Sequence, residues 1–399
     1  MSQDQRRMVW TLGMAQCISW GILFYAFSVL LPPMTASLPI SHSSISFMAT
    51  LSALIAAMIS VPVGRKLDRG GHLRLMMGGS LLGVIGCGIW SWSGTAWGLY
   101  SAAVFIGVAQ AASLYDPVFA FLLHAFPDEK ERSSAMMQVT LLGGLASTMF
   151  LPLTTWLIKI LDWQGAIRIL ALLLLIPVGI YKYWDGKTSF TSTPTPTPGR
   201  LFSLDLTFLN KDARRIFVTL ILVFLLNAIV HTTLTTHLPS ALQSWGFGAM
   251  EASWAVGIMG ASQLLGRMGV GPYLNICQRG PLLTAPLAIM SVVLILLPFC
   301  QQDSLRWLLL IVLGSASGLL TLLRPTLVSR LFESQIFGRV NGVLALSYQL
   351  ARAGGPIGGA WVYEISKGYA AVFVVMALML TAGACLSQRL QKSPRPPSV

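Results

Sequence analysis

The sequence predicts an all-α membrane protein of twelve transmembrane helices, built as two pseudo-symmetric six-helix bundles. Three observations carry this: an excess of apolar residues, their grouping into runs of membrane-crossing length, and an internal repeat. The 399 residues are 54% hydrophobic and 10% charged, with mean hydropathy +0.69, whereas a soluble domain carries about 25% charged residues. The stretch Gly64-x-x-x-Asp68-Arg69-x-Gly71 returns in worn form at Gly271-Pro272-Tyr273-Leu274-Asn275. Leu114-Tyr115-Asp116-Pro117 returns as Leu322-Leu323-Arg324-Pro325, and Leu31-Pro32 as Leu238-Pro239, each about 207 residues later. Two similar halves enclosing something between them are the usual basis of alternating-access transport.

A helix needs about 20 apolar residues to cross a hydrocarbon core of roughly 30 Å. Such runs fall at 8–31, 43–63, 75–93, 97–124, 134–158, 166–184, 215–238, 251–270, 282–300, 306–329, 341–363 and 369–388. The first follows a short polar leader without a small-residue cleavage site, so it reads as a retained helix. In lipid the backbone must satisfy its own hydrogen bonds, and no period-2 barrel pattern is present. Short connections make neighbouring helices antiparallel. The segment 187–199, rich in Thr and Pro, is a polar linker that cannot bury a core. It divides the chain into an N-terminal bundle at 1–186, a cytoplasmic linker at 187–214 and a C-terminal bundle at 215–399.

The formal net charge of +13 encodes orientation rather than a nucleic-acid partner. Termini, the linker and even-to-odd connections hold most of the Lys and Arg, including Arg6, Arg65, Arg74, Lys130, Lys187, Arg214, Arg330 and Arg389. The opposite side holds Lys159, Arg168, Arg306 and Lys367. This bias places both termini and the linker in the cytoplasm of a cell whose inner membrane the chain crosses. Five cysteines without paired spacing read as small apolar fillers. There is no Gly-x-x-x-x-Gly-Lys-Ser/Thr loop, no metal-ligand spacing and no nucleophile elbow, so the sequence points to no ATPase, metal centre, cofactor or hydrolytic enzyme.

The sequence Gly64-x-x-x-Asp68-Arg69-x-Gly71-x-x-Arg74, between the second and third spans, resembles the signature of the major facilitator superfamily, with His72 and Leu73 at two positions usually basic. The resemblance covers the whole chain and implies a major facilitator fold, with Gly64, Asp68, Arg69 and Gly71 forming a gating latch between helices. Asp68 is suited to pair with a nearby Arg and to cap a helix N-terminus. A narrower likeness lies in Ser19-Trp20-Gly21 and Tyr25, in Gln263-x-x-Gly266-Arg267 and in Arg352. These are similar to the first, eighth and eleventh spans of the oxalate/formate and monocarboxylate transporter branch. Ser19 stands close to where eukaryotic monocarboxylate carriers place an acid.

Charges inside spans cost roughly 2.5–3.5 kcal/mol each on insertion scales and mark function by default. Arg352, mid-span, reads as an anion-binding residue or as a structural clamp. Arg267 lies about one turn from a span end, where it either serves the site or reaches the interface by its stem. Guanidinium groups suit carboxylate or phosphate. Asp116 and Arg324 are symmetry mates on helices that, by the superfamily resemblance, line the central cavity. They read as an interdomain salt bridge that gates transport, as a proton site on Asp116, or as a permanent structural pair; Arg324 also joins the substrate-binding candidates. Pro117 and Pro325 follow directly and bend both helices. Asn227 and His231 lie on a polar stretch of the seventh span, where His231 either couples to protons or is simply hydrogen-bonded. Gln16, Trp20 and Tyr25 on the first span, and Gln263 on the eighth, complete the candidate site.

The resulting expectation is a monomeric secondary transporter moving a small, carboxylate-like organic anion, coupled to protons or to a counter-anion. The alternative is a multidrug or siderophore transporter of the same fold, for which the aromatics and 17 Met would supply an adaptable cavity.

Overall fold

The computed structural model describes residues 1–68, 71–187, 211–269, 283–300, 302–331 and 334–388. These are helical throughout their length apart from short turns, with no strand among the described residues. The elements are α1 (Gln3–Trp20), a π-helical turn (Gly21–Tyr25), α2 (Ala26–Ser37), α3 (His42–Asp68), α4 (His72–Trp92), α5 (Ala96–Ser113), α6 (Tyr115–Ala125), α7 (Glu129–Gly144), α8 (Ala146–Leu173) and α9 (Leu175–Asp185). They continue as α10 (Lys211–Ser244), α11 (Ala249–Met268), α12 (Thr284–Leu296), α13 (Asp303–Leu331), α14 (Ser334–Ser366) and α15 (Tyr369–Gln388). Each of the twelve predicted spans overlaps one of these helical stretches. Among the described residues, eight stretches are long and apolar enough to cross a membrane by length and composition. The signature's second copy at Gly271–Asn275 and most of the 187–214 linker lie outside the described residues.

Local chemistry sets the helix ends. Ser2 and Gln5 form a reciprocal capping box at the start of α1. Asp128 Oδ1 accepts the Glu131 N–H at 2.9 Å to start α7, and Thr95 does the same for α5 through Gly98. The fifth and sixth predicted spans run together in α8, and the turn between them is at Asp162. That residue has a left-handed φ of 66°, and its Oδ1 accepts the Gly165 N–H at 2.7 Å, capping the following helix.

The helices gather into two compact units: Met1–Thr197 with Thr235–Gly257, and Pro198–Leu234 with Ile258–Val399. In unit one, α4 packs against α5, α8 and α9, α3 against α5, and α1 against α7. Its core includes one cluster around Ile22, Leu30, Leu31, Ile106 and Phe150, a second around Val9, Leu12, Phe121, Phe126 and Tyr181, and a smaller one at Val63, Leu67 and Ala112. Ala15 belongs to the second cluster and Cys17 to the first, so Gln16 sits at the seam between them. The ends of α10 and α11 belong to unit one as well. Thr148 Oγ1 donates to the Gly257 carbonyl at 2.9 Å, the Thr155 and Ser253 hydroxyls share a hydrogen bond, and the His42 and His237 rings stack at 5.4 Å. In unit two, α12 packs against α13 and α15.

Candidate functional site

In unit one the candidate residues collect where two helices are discontinuous. The first span changes from α to π geometry at Gly21–Tyr25, immediately after Trp20; such turns concentrate at functional positions. The fourth span breaks at Leu114, whose ψ of −155° separates α5 from α6. Pro117 has no N–H to give the carbonyl four residues back, that of Ser113. Gln16 Nε2 supplies the missing donor, reaching Ser113 O at 2.7 Å and Tyr181 Oη at 3.3 Å. The converse contact also exists: Gln110 Nε2, from α5, donates to Leu23 O within the π-turn at 2.7 Å. Each break is thus satisfied by a glutamine from the other helix, as membrane interiors require.

Around this brace lies an aromatic cluster. The Trp20 ring is 5.0 Å from that of Tyr115, 5.4 Å from Phe24 and 6.5 Å from Tyr25, and Tyr115 stacks on Phe119 at 5.3 Å with planes 5° apart. Gly143 leaves room for the Tyr115 hydroxyl, and Gly21 for the Phe150 ring; a Cβ at either position would overlap them. Asp116 is exposed in the first turn of α6, where a carboxylate is favoured by the helix dipole.

In the signature, Gly71 adopts φ +73° at the N-cap of α4, a left-handed conformation that glycine alone takes without penalty. Gly64 is half-buried with open space beside it. The Asp68 side chain and all of Arg69 lie outside the described residues. Arg74 Nε donates to Asp185 Oδ2 at 2.9 Å, tying the start of α4 to the end of α9. That hydrogen bond, then the carboxylate's charge, raises the guanidinium pKa.

Unit two brings together three of the predicted residues. His231 on α10 is half-buried, and both Arg352 on α14 and Arg267 on α11 act electrostatically on its ring. Asn227 lies one helical turn before His231, also half-buried. Close helix crossings fix the two arginines. A Cβ on Gly355, one turn after Arg352, would stand 2.8 Å from Ile229 O and Thr233 N and closer still to Thr232 Oγ1. Thr233 Oγ1 donates to Gly355 O at 3.0 Å across the same crossing. Gly266, next to Arg267, lies against the backbone of Ser315 and Leu319, and Gly318 against that of Gln263. Gln263 is half-buried. Arg324 is on α13, its side chain outside the described residues. Guanidinium groups within electrostatic reach of an imidazole offer hydrogen-bond donors suited to a carboxylate.

The family model of the Major Facilitator Superfamily matches residues 9–319 and 220–399. This chain belongs to the Major Facilitator Superfamily. It is therefore an integral, multi-pass membrane protein of a transporter superfamily. Solved structures of superfamily type resemble it along nearly the whole chain. A bacterial homologue of the human lysosomal transporter Spinster, in an inward-facing and occupied conformation, matches with TM-score 0.78 and 13% identity, covering 99% of this chain and 98% of that one. The nucleoside transporter NupG matches with TM-score 0.78 and 16% identity, covering 98% of this chain and 100% of that one. At such identities the likeness shows the fold alone. No curated protein matches the sequence.

Several participants in this superfamily member's candidate site escape sequence reasoning. Tyr115 lies inside a motif noticed for its acid and its proline, and an aromatic ring in a span reads as packing. Gln110 is a lone amide in an apolar run, which was the available signal. Asp185 closes the signature from a part of the chain that carries no motif.

Proposed function

We propose that this chain is a secondary transporter that moves a small, carboxylate-like anion across the inner membrane by alternating access, coupled to protons or to exchange with another anion. The observation that supports this reading is that Arg352 and Arg267 both act electrostatically on His231 within unit two. Arginines inside a membrane span are costly and mark function by default. Asn227, Gln263 and Arg324 are the further substrate-binding residues of this reading in unit two, and Gln16, Trp20 and Tyr25 those in unit one. The similarity of Trp20, Tyr25, Gln263, Arg267 and Arg352 to the oxalate/formate and monocarboxylate branch points to the same substrate class. Asp116, Arg324, Gly64, Asp68, Arg69 and Gly71 are the gating and coupling residues of this reading. The protein works as a monomer with both termini in the cytoplasm.

Counterflow in proteoliposomes tests it without assuming a driving ion. Vesicles loaded with mono-, di- and tricarboxylates are compared for wild type and Arg352→Gln. Hydrogen bonds to charged groups are worth about 1.5–3 kcal/mol, so exchange of the preferred carboxylate should fall at least about tenfold in the variant. Absence of exchange with every carboxylate, from protein shown to be folded, would sink the reading and favour a multidrug or siderophore carrier.

A further inference from the structure

Three side-chain atoms of α1, Gln16 Oε1, Ser19 Oγ and Trp20 Nε1, lack a hydrogen-bond partner among the described residues, and the first and last of them lie one helical turn apart. Gln16 is 0% exposed, and its Nε2 donates to Ser113 O and Tyr181 Oη. A main-chain carbonyl only accepts, so this contact fixes which end of the amide is nitrogen. The other end, Oε1, is an acceptor that meets no donor among the described residues. One turn later, the indole Nε1–H of Trp20, a donor only, is likewise shielded and meets no acceptor there. The Trp20 ring is held by Tyr115 and Phe24, and Gln16 by its two bonds, so neither group turns away at little cost.

Residues i and i+4 share a helix face, which puts one acceptor and one donor a single turn apart on the same face. The pair discriminates between chemical groups. A carboxylate cannot donate to Gln16, an ammonium cannot accept from Trp20, and a methyl does neither. A hydroxyl does both, its oxygen accepting from the indole and its proton going to the amide oxygen. A buried water offers the same O–H and needs at least two such partners.

We propose that Gln16 Oε1 and Trp20 Nε1 form a hydroxyl-binding subsite on the first span, filled by a hydroxyl of the transported solute or by an ordered water. The solute arm rests on the anion reading above and narrows it to hydroxylated carboxylates. The adjoining π-turn and the break before α6 are the kind of interruption at which membrane transporters build ligand sites.

The test uses full-length protein in proteoliposomes and carboxylates that differ by one hydroxyl: lactate against propionate, and malate against succinate. Wild type is compared with Trp20→Phe and with Trp20→benzothienylalanine, which keeps the bicycle and removes only the N–H. A site built to bond a hydroxyl rejects the analogue lacking it. Wild type should therefore favour the hydroxylated member by about tenfold or more, and both variants should bring the pair within about twofold. That outcome assigns the hydroxyl to the solute. Equal exchange of both members, with a lowered melting midpoint for the benzothienylalanine variant, assigns it to water. Discrimination that survives in the variants overturns the proposal, as does equal exchange with an unchanged midpoint. If no carboxylate exchanges at all, the anion reading fails, and the melting comparison still decides the subsite.

Discussion

Gly354 and Gly355 look interchangeable in sequence and should behave oppositely when replaced by alanine. A Cβ on Gly354 meets nothing within 4 Å, and the residue is exposed. Gly354→Ala therefore acts only through helix propensity, stabilising by up to about 1 kcal/mol. A Cβ on Gly355 would stand 2.8 Å from Ile229 O and Thr233 N. Ordinary carbon–oxygen contacts begin at about 3.3 Å, so α14 must retreat from α10 by at least about 0.5 Å to clear the backbone, and further to clear Thr232 Oγ1. The Thr232 hydroxyl cannot simply swing aside, since it bonds the carbonyls of Ala228 at 3.0 Å and Ile229 at 3.2 Å. Such overpacking costs about 1–3 kcal/mol. Both variants gain the same propensity term, so the difference between them isolates the crossing itself. Unfolding of the purified protein in detergent should separate them by that amount. Exchange in proteoliposomes should fall for Gly355→Ala, whose neighbour one turn away is Arg352, and persist for Gly354→Ala; displacements near 1 Å can cost about 100-fold in rate. Two variants indistinguishable in both assays would refute the claim that α10 and α14 touch backbone to backbone.

Gln110→Leu removes the donor to Leu23 O and should lower stability by about 0.6–1.7 kcal/mol, the range for interhelical hydrogen bonds in membranes, read as an earlier unfolding transition. Gly266→Ala drives a methyl into the Ser315 and Leu319 backbone, atoms that cannot rotate away. It should give little folded protein on size-exclusion chromatography, whereas Gly88→Ala, with open space at its Cβ, should give normal yields. Gly71→Ala places a side chain at φ +73° and should destabilise by about 1–2 kcal/mol, with no steric contribution because its surroundings are open. A Gly71→Asn variant, which tolerates that conformation better, should recover part of the loss in the same melting assay.

The twelve crossings were legible because lipid leaves the backbone so few options. A run such as 282–300 must be helical simply because it is long and apolar. The breaks within crossings were less legible. Pro117 announced a bend, yet the helix parts at Leu114, three residues earlier, and the partner of the freed carbonyl is almost a hundred residues away. The π-turn at Gly21 left no trace, since one extra residue barely alters hydrophobic periodicity. Arg352, Arg267 and His231 could be singled out by the cost of placing each in a membrane. What joins them is glycine at Gly266 and Gly355, and glycine in a span signals close approach without naming the partner.

The crossed glutamines tie two distant stretches of chain into one heritable unit. Gln16 answers a defect made by Pro117, and Gln110 answers one in the turn after Trp20. A chain that lost Gln16 but kept Pro117 would strand a main-chain oxygen in the bilayer interior. Descendants of this sequence should therefore keep both or discard both, and the same rule should bind Gln110 to the irregular turn. An apparently isolated amide in one span thus records the shape of another.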